Sequence, residues 1–267
     1  MIPVLIVIGI LFLAYAAFFL ENRRFVVRRE TIRHAKVNAP FIAVQVSDLH
    51  DRRFGKKQEK LLGAIRDVKP DLILITGDLF NRHRKSACEN AFTFIRGVVG
   101  IAPVYFAEGN HERSLGETGE RYIETIRDIG VHVLRDEYAD TGSVRIIGLR
   151  QYASPQQLSA LTDASRLNLA LAHRPELYPI YADTDVDVVL SGHAHGGQIR
   201  LFGRGVYAPQ QGLFPRFDAG QYEIGRSILH VSRGLGNTIP FPRVFNTPEL
   251  NVLTFRPITE KEHTNVC

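Results

Sequence analysis

Five short apolar segments constrain this chain more than any other feature, because each of them is followed at once by residues that bind metals. Their β-branched content predicts buried strands at residues 41–46, 71–75, 104–107, 167–172 and 186–190. The residues that follow them are, in order, Asp48 and His50, Asp78, Asn110 and His111, His173, and His193 and His195. Since ligands of open α/β sheets bind at the carboxyl ends of strands, the pattern predicts one site at a sheet edge.

The residue types at this edge indicate a metal site. In Asp48-x-His50 and His193-x-His195, alternate side chains can point toward one ion. Imidazole and carboxylate without thiolate suit Mn, Fe or Zn better than Mg or Ca. Taken singly, each motif is more typical of a turn, a helix cap or a structural histidine. The occurrence of all five, each after a predicted strand, favours the metal site.

The rest of the chain predicts an α/β fold. Helical spacing of apolar residues predicts helices at residues 57–68, 91–98 and 119–129. Further short apolar runs predict strands at residues 144–149, 228–231 and 251–255. Strands that alternate with helices indicate a largely buried sheet system covered by helices.

The ordered motifs Asp-x-His, Gly-Asp, Gly-Asn-His-Glu, His and Gly-His-x-His resemble those of the calcineurin-like metallophosphoesterase superfamily, over about residues 41–256. The resemblance implies a four-layer α/β/β/α sandwich and a hydrolase that attacks phosphoric esters or anhydrides with metal-activated water. It implies two divalent ions, most often Mn, with Fe or Zn as alternatives, and no organic cofactor. The implied ligands are Asp48, His50, Asp78 and His195 for one ion, and Asp78, Asn110, His173 and His193 for the other. His111 would be catalytic, as the proton donor to the leaving oxygen or as a stabiliser of the transition state.

Other segments narrow the resemblance. Residues 77–83 depart from the Gly-Asp-x-Val-Asp-Arg-Gly motif of protein phosphatases, which disfavours that activity. Residues 192–199, 232–236 and 247–250 resemble a bacterial, membrane-associated branch similar to YkuE and YaeI. A relative in that branch cleaves UDP-2,3-diacylglucosamine, so the resemblance implies a phosphodiesterase or pyrophosphatase for a lipid-linked phosphate. The alternatives are a general phosphodiesterase or nuclease with a non-lipid substrate, and, least favoured because the motifs are intact, a membrane-tethered binding protein.

The first twenty residues predict a membrane anchor. Residues 2–20 carry no charge, and a helix of nineteen residues spans roughly 30 Å, which is the thickness of the hydrocarbon core. A cleaved signal peptide is disfavoured, because no basic side chain precedes the run and no small-residue cleavage site follows it. The basic residues after it are Arg23, Arg24, Arg28, Arg29, Arg33 and Lys36. Their position predicts a single-pass protein with its catalytic domain in the cytoplasm and a basic patch against lipid head groups.

These features give four expected regions: a transmembrane anchor at 1–22, a basic juxtamembrane linker at 23–40, a catalytic domain at 41–258 and a polar tail at 259–267. The net charge of +5 comes mostly from the basic stretch, so nucleic acid is not an expected partner. Two cysteines, Cys88 and Cys267, do not make a disulfide framework. The sequence leaves the oligomeric state open.

Two substrate contacts are expected, from Asn110 and from Arg233 in a glycine-rich loop. For Arg233, bracing of its own loop is an equal alternative to phosphate binding. Residues 213–215 and 239–242 are apolar, and they could form a rim for acyl chains or pack as ordinary loops. Packing is the favoured interpretation, since soluble domains rarely expose large apolar patches.

Overall fold

The computed structural model of the protein describes residues 2–83, 88–150, 154–239 and 241–258. The expected polar tail at 259–267, together with Cys267 and Pro240, lies outside the described residues. The α-helices are α1 (Ile2–Glu21), α2 (Glu59–Val68), α3 (Glu89–Val98), α4 (Asn110–Ser114), α5 (Glu117–Ile129), α6 (Pro155–Leu161) and α7 (Tyr178–Ala182). Short 3₁₀ turns occupy Lys56–Gln58, Pro175–Leu177 and His195–Gly197.

The strands form two six-stranded mixed sheets and two small hairpins. The first sheet contains β1 (Val26–Arg33), β2 (Phe41–Val46), β3 (Leu72–Thr76), β4 (Val104–Ala107), β5 (His132–Val133) and β16 (Glu249–Arg256), in the order β1-β16-β2-β3-β4-β5. The second contains β6 (Glu137–Thr141), β7 (Val144–Gly148), β8 (Leu167–Leu171), β9 (Val188–Ser191), β14 (Gly220–Ile224) and β15 (Ser227–Val231), in the order β14-β15-β9-β8-β7-β6. The hairpins pair β10 (Arg200–Leu201) with β11 (Arg204–Gly205), and β12 (Tyr207–Ala208) with β13 (Gly212–Leu213).

Alternation along the strands produces the layers. In β3, Leu72 and Leu74 face the second sheet, whereas Ile73 and Ile75 face the helices, and all four are buried. The core between the sheets is therefore distinct from the core that the first sheet shares with α2, α3 and α5. A third core lies between the second sheet and α6 and α7. The expected α/β/β/α arrangement is confirmed.

The linker expected at residues 23–40 differs from the structure. Residues Val26–Arg33 form β1, which pairs in parallel with all eight residues of β16 at the edge of the first sheet. β1 carries no apolar run, because it is an edge strand in which Ile32 alone is fully buried, and the inward positions before it hold Arg28 and Glu30, which pair with Glu249 and His230. This part of the chain belongs to the folded domain.

The N-terminal helix α1 stands apart from the layers. Its residues Pro3–Glu21 have a mean hydropathy of 2.6, and most of their apolar side chains are exposed. By length and composition the helix can cross a membrane.

Candidate metal centre

The seven expected ligands come together where the carboxyl ends of the two sheets meet. The parallel strands β2, β3 and β4 of the first sheet deliver Asp48, His50, Asp78 and Asn110. Strands β8 and β9 of the second sheet deliver His173, His193 and His195. All of these side chains except Asn110 belong to buried residues. The single sheet edge expected from the sequence is thus a junction of two edges.

One group of ligand atoms consists of Asp48, His50 and His195, whose ligand atoms lie within 4.8 Å of one another. The Nε2 atoms of His50 and His195 are 3.2 Å apart. His195 Nε2 lies 3.5 Å from Asp48 Oδ1. Two ring nitrogens that face each other across this distance beside a carboxylate are arranged as for a shared cation.

A second group consists of Asp78, His173 and His193, again within 4.8 Å of one another. His173 Nε2 lies 3.2 Å from Asp78 Oδ2 and 3.2 Å from Asn110 Oδ1. Asp78 Oδ2 is also 3.8 Å from His50 Nε2 in the first group. The Asp78 carboxylate therefore lies between the two groups.

The backbone at this site is held in an uncommon conformation. Asp48, His50, Asp78, His193 and His195 all have positive φ, between 48° and 66°. Residues other than glycine rarely adopt a positive φ, and clusters of residues that do so mark functional sites. The loops after β3 and β4 are in contact, and a Cβ at Gly77 or Gly109 would overlap the facing backbone or the Asp78 carboxylate. Glycine is required at both positions to bring Asp78 and Asn110 close.

The protonation states of the histidines are compatible with a bound cation. Burial lowers the pKa of His50 to about 3 and that of His193 to about 3, so both rings are neutral, which is the ligand form. His173 Nδ1 donates to the Thr76 carbonyl at 2.8 Å and leaves Nε2 for the centre. Burial lowers the pKa of His173, but the Asp78 carboxylate outweighs it and raises the pKa to about 10. Since a cation could replace this proton, the side chains fit a dinuclear metal site of mixed nitrogen and oxygen ligands.

His111 lies at the edge of the same site. Its Nε2 is 3.9 Å from Asp78 Oδ2. The Arg82 amide donates to His111 Nδ1 at 3.3 Å, so the neutral ring carries its proton on Nε2 and directs it into the site. Burial lowers the pKa of His111 to about 4. The ring is therefore a neutral hydrogen-bond donor at neutral pH.

Three residues that support the site were not singled out as functional from the sequence. Glu112 accepts from the amides of Asp78, Phe80 and Gly109 at 2.8–2.9 Å and so holds both loops. Arg243 is fully buried and its Nη2 lies 3.0 Å from His195 Nδ1. Gln210 contacts His193 Nε2 through its side-chain oxygen. Glu112 could have been found from the Gly-Asn-His-Glu motif, whereas Arg243 and Gln210 lie in loops without a sequence signal.

A polar cavity of about 450 Å³ opens above the site. Asp78, Asn110, His111, His193 and His195 line it, and so do the arginines Arg82, Arg113 and Arg174. Arg233 is turned elsewhere, with Nε 3.4 Å from Glu249 Oε2 and its own amide bonded to Glu249 Oε1. These contacts favour the bracing alternative for Arg233, and its role in substrate binding remains a prediction.

Comparison with known proteins gives concordant matches. Residues 43–197 match the model of the calcineurin-like phosphoesterase family. Phosphodiesterase YaeI of Escherichia coli is 31% identical over 247 residues, which cover 84% of this chain and 87% of that protein. The uncharacterized metallophosphoesterase Cj0846 of Campylobacter jejuni is 29% identical over 80% of this chain, but this chain spans 58% of its length.

The fold has counterparts among solved structures. A 5'-nucleotidase precursor from Thermus thermophilus superposes with a TM-score of 0.51 over 74% of this chain and 50% of that chain, at 14% identity. At this identity the similarity concerns the fold alone. It agrees with the layered arrangement described above.

Proposed function

The chain belongs to the calcineurin-like phosphoesterase family, and we propose that it hydrolyses a phosphodiester or pyrophosphate bond in a membrane-associated, lipid-linked phosphate. Family membership rests on a match over more than half of the chain and on the similarity to YaeI. The proposed substrate class includes nucleotide-linked lipids such as UDP-2,3-diacylglucosamine.

The proposed ligands of the first ion are Asp48, His50, Asp78 and His195, and those of the second are Asp78, Asn110, His173 and His193. The distances within the two groups and the position of Asp78 between them support this division. When bound, two divalent ions would supply Lewis acidity, which activates water and neutralises charge on the phosphoryl oxygens. The identity of the ions is proposed as Mn, with Fe or Zn as alternatives.

The protein's own side chains have separate tasks in this proposal. His111 Nε2–H donates a hydrogen bond to the leaving oxygen or to a phosphoryl oxygen in the transition state. The cationic side chains of Arg82, Arg113 and Arg174 surround the cavity and hold the substrate phosphate. Asn110, half-buried beside His173, contacts the same phosphate. Together these residues orient the phosphorus for in-line attack.

The observation that carries the lipid-linked substrate is a groove between α1 and the metal centre. The groove has a volume of about 400 Å³; Phe19 of α1, Leu235, Ile239 and Phe241 form the apolar part of its lining, and polar side chains, among them Asn81, form the rest. Thr238 lines both this groove and the cavity above the metal centre. An amphipathic substrate can therefore place its apolar part beside the end of the membrane helix and its phosphate over the metals.

Anchoring by α1 places the site beside the bilayer in this proposal. Arg23 and Arg24 lie two and three residues after the end of α1 and are exposed, which supports a cytoplasmic orientation and contact with anionic lipid. A general phosphodiesterase activity is the second candidate. The similarity to the phosphodiesterase YaeI and the polar cavity favour it, since a soluble diester would also fit.

Hydrolysis by the detergent-solubilised protein with Mn would test the proposal, using UDP-2,3-diacylglucosamine, bis-p-nitrophenyl phosphate and p-nitrophenyl phosphate. Release of UMP from the nucleotide lipid, lost in Asp78→Ala and His111→Ala, is the expected result. Turnover of the soluble diester alone would support the general phosphodiesterase. Failure to turn over any of the three, with metal bound, would contradict both candidates and favour a membrane-tethered binding protein.

A further inference from the structure

Large hydrophobic side chains face solvent in one part of the domain. Among the residues that the structure describes outside α1, nine of the twelve exposed large hydrophobic side chains lie between residues 199 and 245. Six of them, here called the apolar rim, are 48–105% exposed: Leu201, Phe202, Leu213, Phe214, Phe241 and Phe245. The packing interpretation of residues 213–215 and 239–242 is wrong for Leu213, Phe214 and Phe241. Patches of this kind mark interaction surfaces.

The rim is continuous with the end of α1. The ring of Phe245 packs edge-on against Phe18, with the centroids 5.2 Å apart. Phe18 lies three residues before the end of α1, so Phe245 reaches about 4.5 Å back along the helix, into the level of its apolar part. The bridge between Ile199 and Val244 ties the β10–β11 hairpin to the same segment.

The aromatic residue at the tip of the β10–β11 hairpin does not stabilise the fold. Phe202 and Gly203 form the two-residue turn between β10 and β11, with φ of 50° and 81°. Such turns favour Asn-Gly, and a bulky aromatic residue at positive φ is disfavoured. Phe202 is also fully exposed, so it gains no packing within the described part of the chain. Packing within the fold therefore does not account for an aromatic side chain at this position.

Charge identifies the partner. Residues 199–216 and 234–248 contain no Asp or Glu, and Arg204 and Arg216 in the first segment are exposed, whereas Arg200 is buried and pairs with Asp218. Arg204 is exposed in the same hairpin as Phe202. Exposed aromatic side chains flanked by basic and not by acidic residues match the boundary between lipid head groups and acyl chains.

We propose that the apolar rim inserts into the surface of the bilayer that α1 crosses, as a second membrane contact of the domain. The inference rests on the proposed anchoring by α1 but not on the proposed reaction. Because Phe241 lines both the rim and the groove beside α1, the insertion would open the groove directly to lipid.

Tryptophan fluorescence can test the insertion, because the chain contains no Trp. Phe202→Trp and Phe214→Trp each introduce a single fluorophore in the rim of the full-length protein. Tyr15→Trp in α1 reports the anchor, and Tyr138→Trp, on β6 and 46% exposed, is the matched control away from the rim. Each variant is placed in nanodiscs of phosphatidylcholine and phosphatidylglycerol, with or without lipid brominated near the head-group end of the acyl chains.

We expect brominated lipid to quench roughly half or more of the emission from Phe202→Trp or Phe214→Trp, with a blue-shifted maximum, and to leave Tyr138→Trp unchanged. Circular dichroism shows whether each variant is folded, and the second rim variant replaces a misfolded first. Quenching of Tyr15→Trp without quenching of either folded rim variant would overturn the inference and leave the anchor intact. Absence of quenching at Tyr15→Trp as well would overturn the anchoring on which it rests. Neither result depends on enzymatic activity.

Discussion

In the metal centre, charged and polar side chains are buried, whereas in the apolar rim aromatic side chains face solvent. Asp48 and Asp78 are at most 1% exposed, and Phe202 is fully exposed. Both arrangements cost free energy in an isolated chain, because buried carboxylates lose hydration and exposed aromatic surface contacts water. In the function and the membrane contact proposed above, each arrangement becomes favourable when a partner outside the chain is added: cations in the first region and lipid in the second. Both regions also hold bulky or charged residues at positive φ.

Metal removal should have the largest effect and should separate the two regions. Treatment with EDTA is expected to lower the hydrolysis of bis-p-nitrophenyl phosphate by about 10³-fold or more, because Lewis acidity at the phosphate is lost. Added Mn should restore the rate. Quenching of Phe202→Trp by brominated lipid should stay the same. A chelator that released the rim from lipid would show that the regions are coupled.

Gly109→Ala should disrupt the metal centre by adding a Cβ atom to the loop after β4. The added Cβ overlaps Asp78 Oδ1, so the carboxylate must move, and a shift of this kind typically lowers the rate by about 10²-fold. Overpacking should also cost about 1–3 kcal/mol in the free energy of unfolding. Kinetics with the soluble diester measure the first effect.

Gly63→Ala is the matched control, because it lies in α2 and its Cβ would have no atom within 4 Å. It should keep the rate and stabilise the protein by no more than about 1 kcal/mol. Equal rates for the two variants would show that the contact between the loops after β3 and β4 does not position Asp78.

Phe241→Ser should lower the hydrolysis of a lipid substrate and leave the hydrolysis of a soluble substrate unchanged. The side chain lines the groove and is 69% exposed, so the free energy of unfolding should change by no more than about 0.5 kcal/mol. Lost contact with acyl chains should lower kcat/KM for a nucleotide lipid by about tenfold, equivalent to about 1.4 kcal/mol. Hydrolysis of the soluble diester provides the internal reference, and Tyr138→Ser is the control for an exposed aromatic residue. If kcat/KM fell equally for both substrates, Phe241 would instead be a residue that supports the metal centre.

Substitution of Glu30 should have the smallest effect. This residue lies in neither the metal centre nor the apolar rim. Its carboxylate on β1 lies 3.3 Å from His230 Nε2 and accepts from Gln221 at 3.1 Å. The His230 contact lowers the pKa of Glu30 from 4.5 to about 2. The folded pKa is depressed, so this carboxylate stabilises the protein above about pH 4.5, and the stabilisation is lost as pH falls through about 2.

Glu30→Gln should therefore lower the unfolding midpoint in urea modestly above pH 4.5 and progressively less toward pH 2. Circular dichroism follows the transition. A difference between the variant and the wild type that grew as pH fell would contradict the sign of the pKa shift.

The sequence predicts the central strands, and it predicts which polar side chains cluster at their ends, because both leave simple patterns. Runs such as residues 72–75 are buried on both faces and are apolar throughout, and the polar residues that follow them are the ones the structure brings together. β1 is missed because an edge strand with one fully buried side chain has no such run. Arg243 and Gln210 are missed because loop conformation, which local sequence does not determine, brings them to the histidines.

For the apolar rim, the sequence predicts the wrong environment. From sequence, residues such as Phe214 and Phe241 are predicted to be packed, because apolar side chains usually are. Only the fold shows that these loops lie beyond the three cores and beside α1. Hydrophobicity alone does not distinguish a side chain that packs in the protein from one that contacts lipid.

The pairing of Asn22 with Arg243 has a consequence for how this protein encounters its substrate. The Asn22 side chain exchanges two hydrogen bonds with the Arg243 backbone, at 2.8 and 2.9 Å, and the Arg243 guanidinium reaches His195. Three residues separate Asn22 from β1, so the helix is fixed to the domain at its end and cannot swing on a tether. If α1 crosses a bilayer, the metals stand at a fixed height above it. For the proposed lipid-linked substrate, the search is then two-dimensional, by lateral diffusion, and selection acts on how far a phosphate protrudes from the lipid surface.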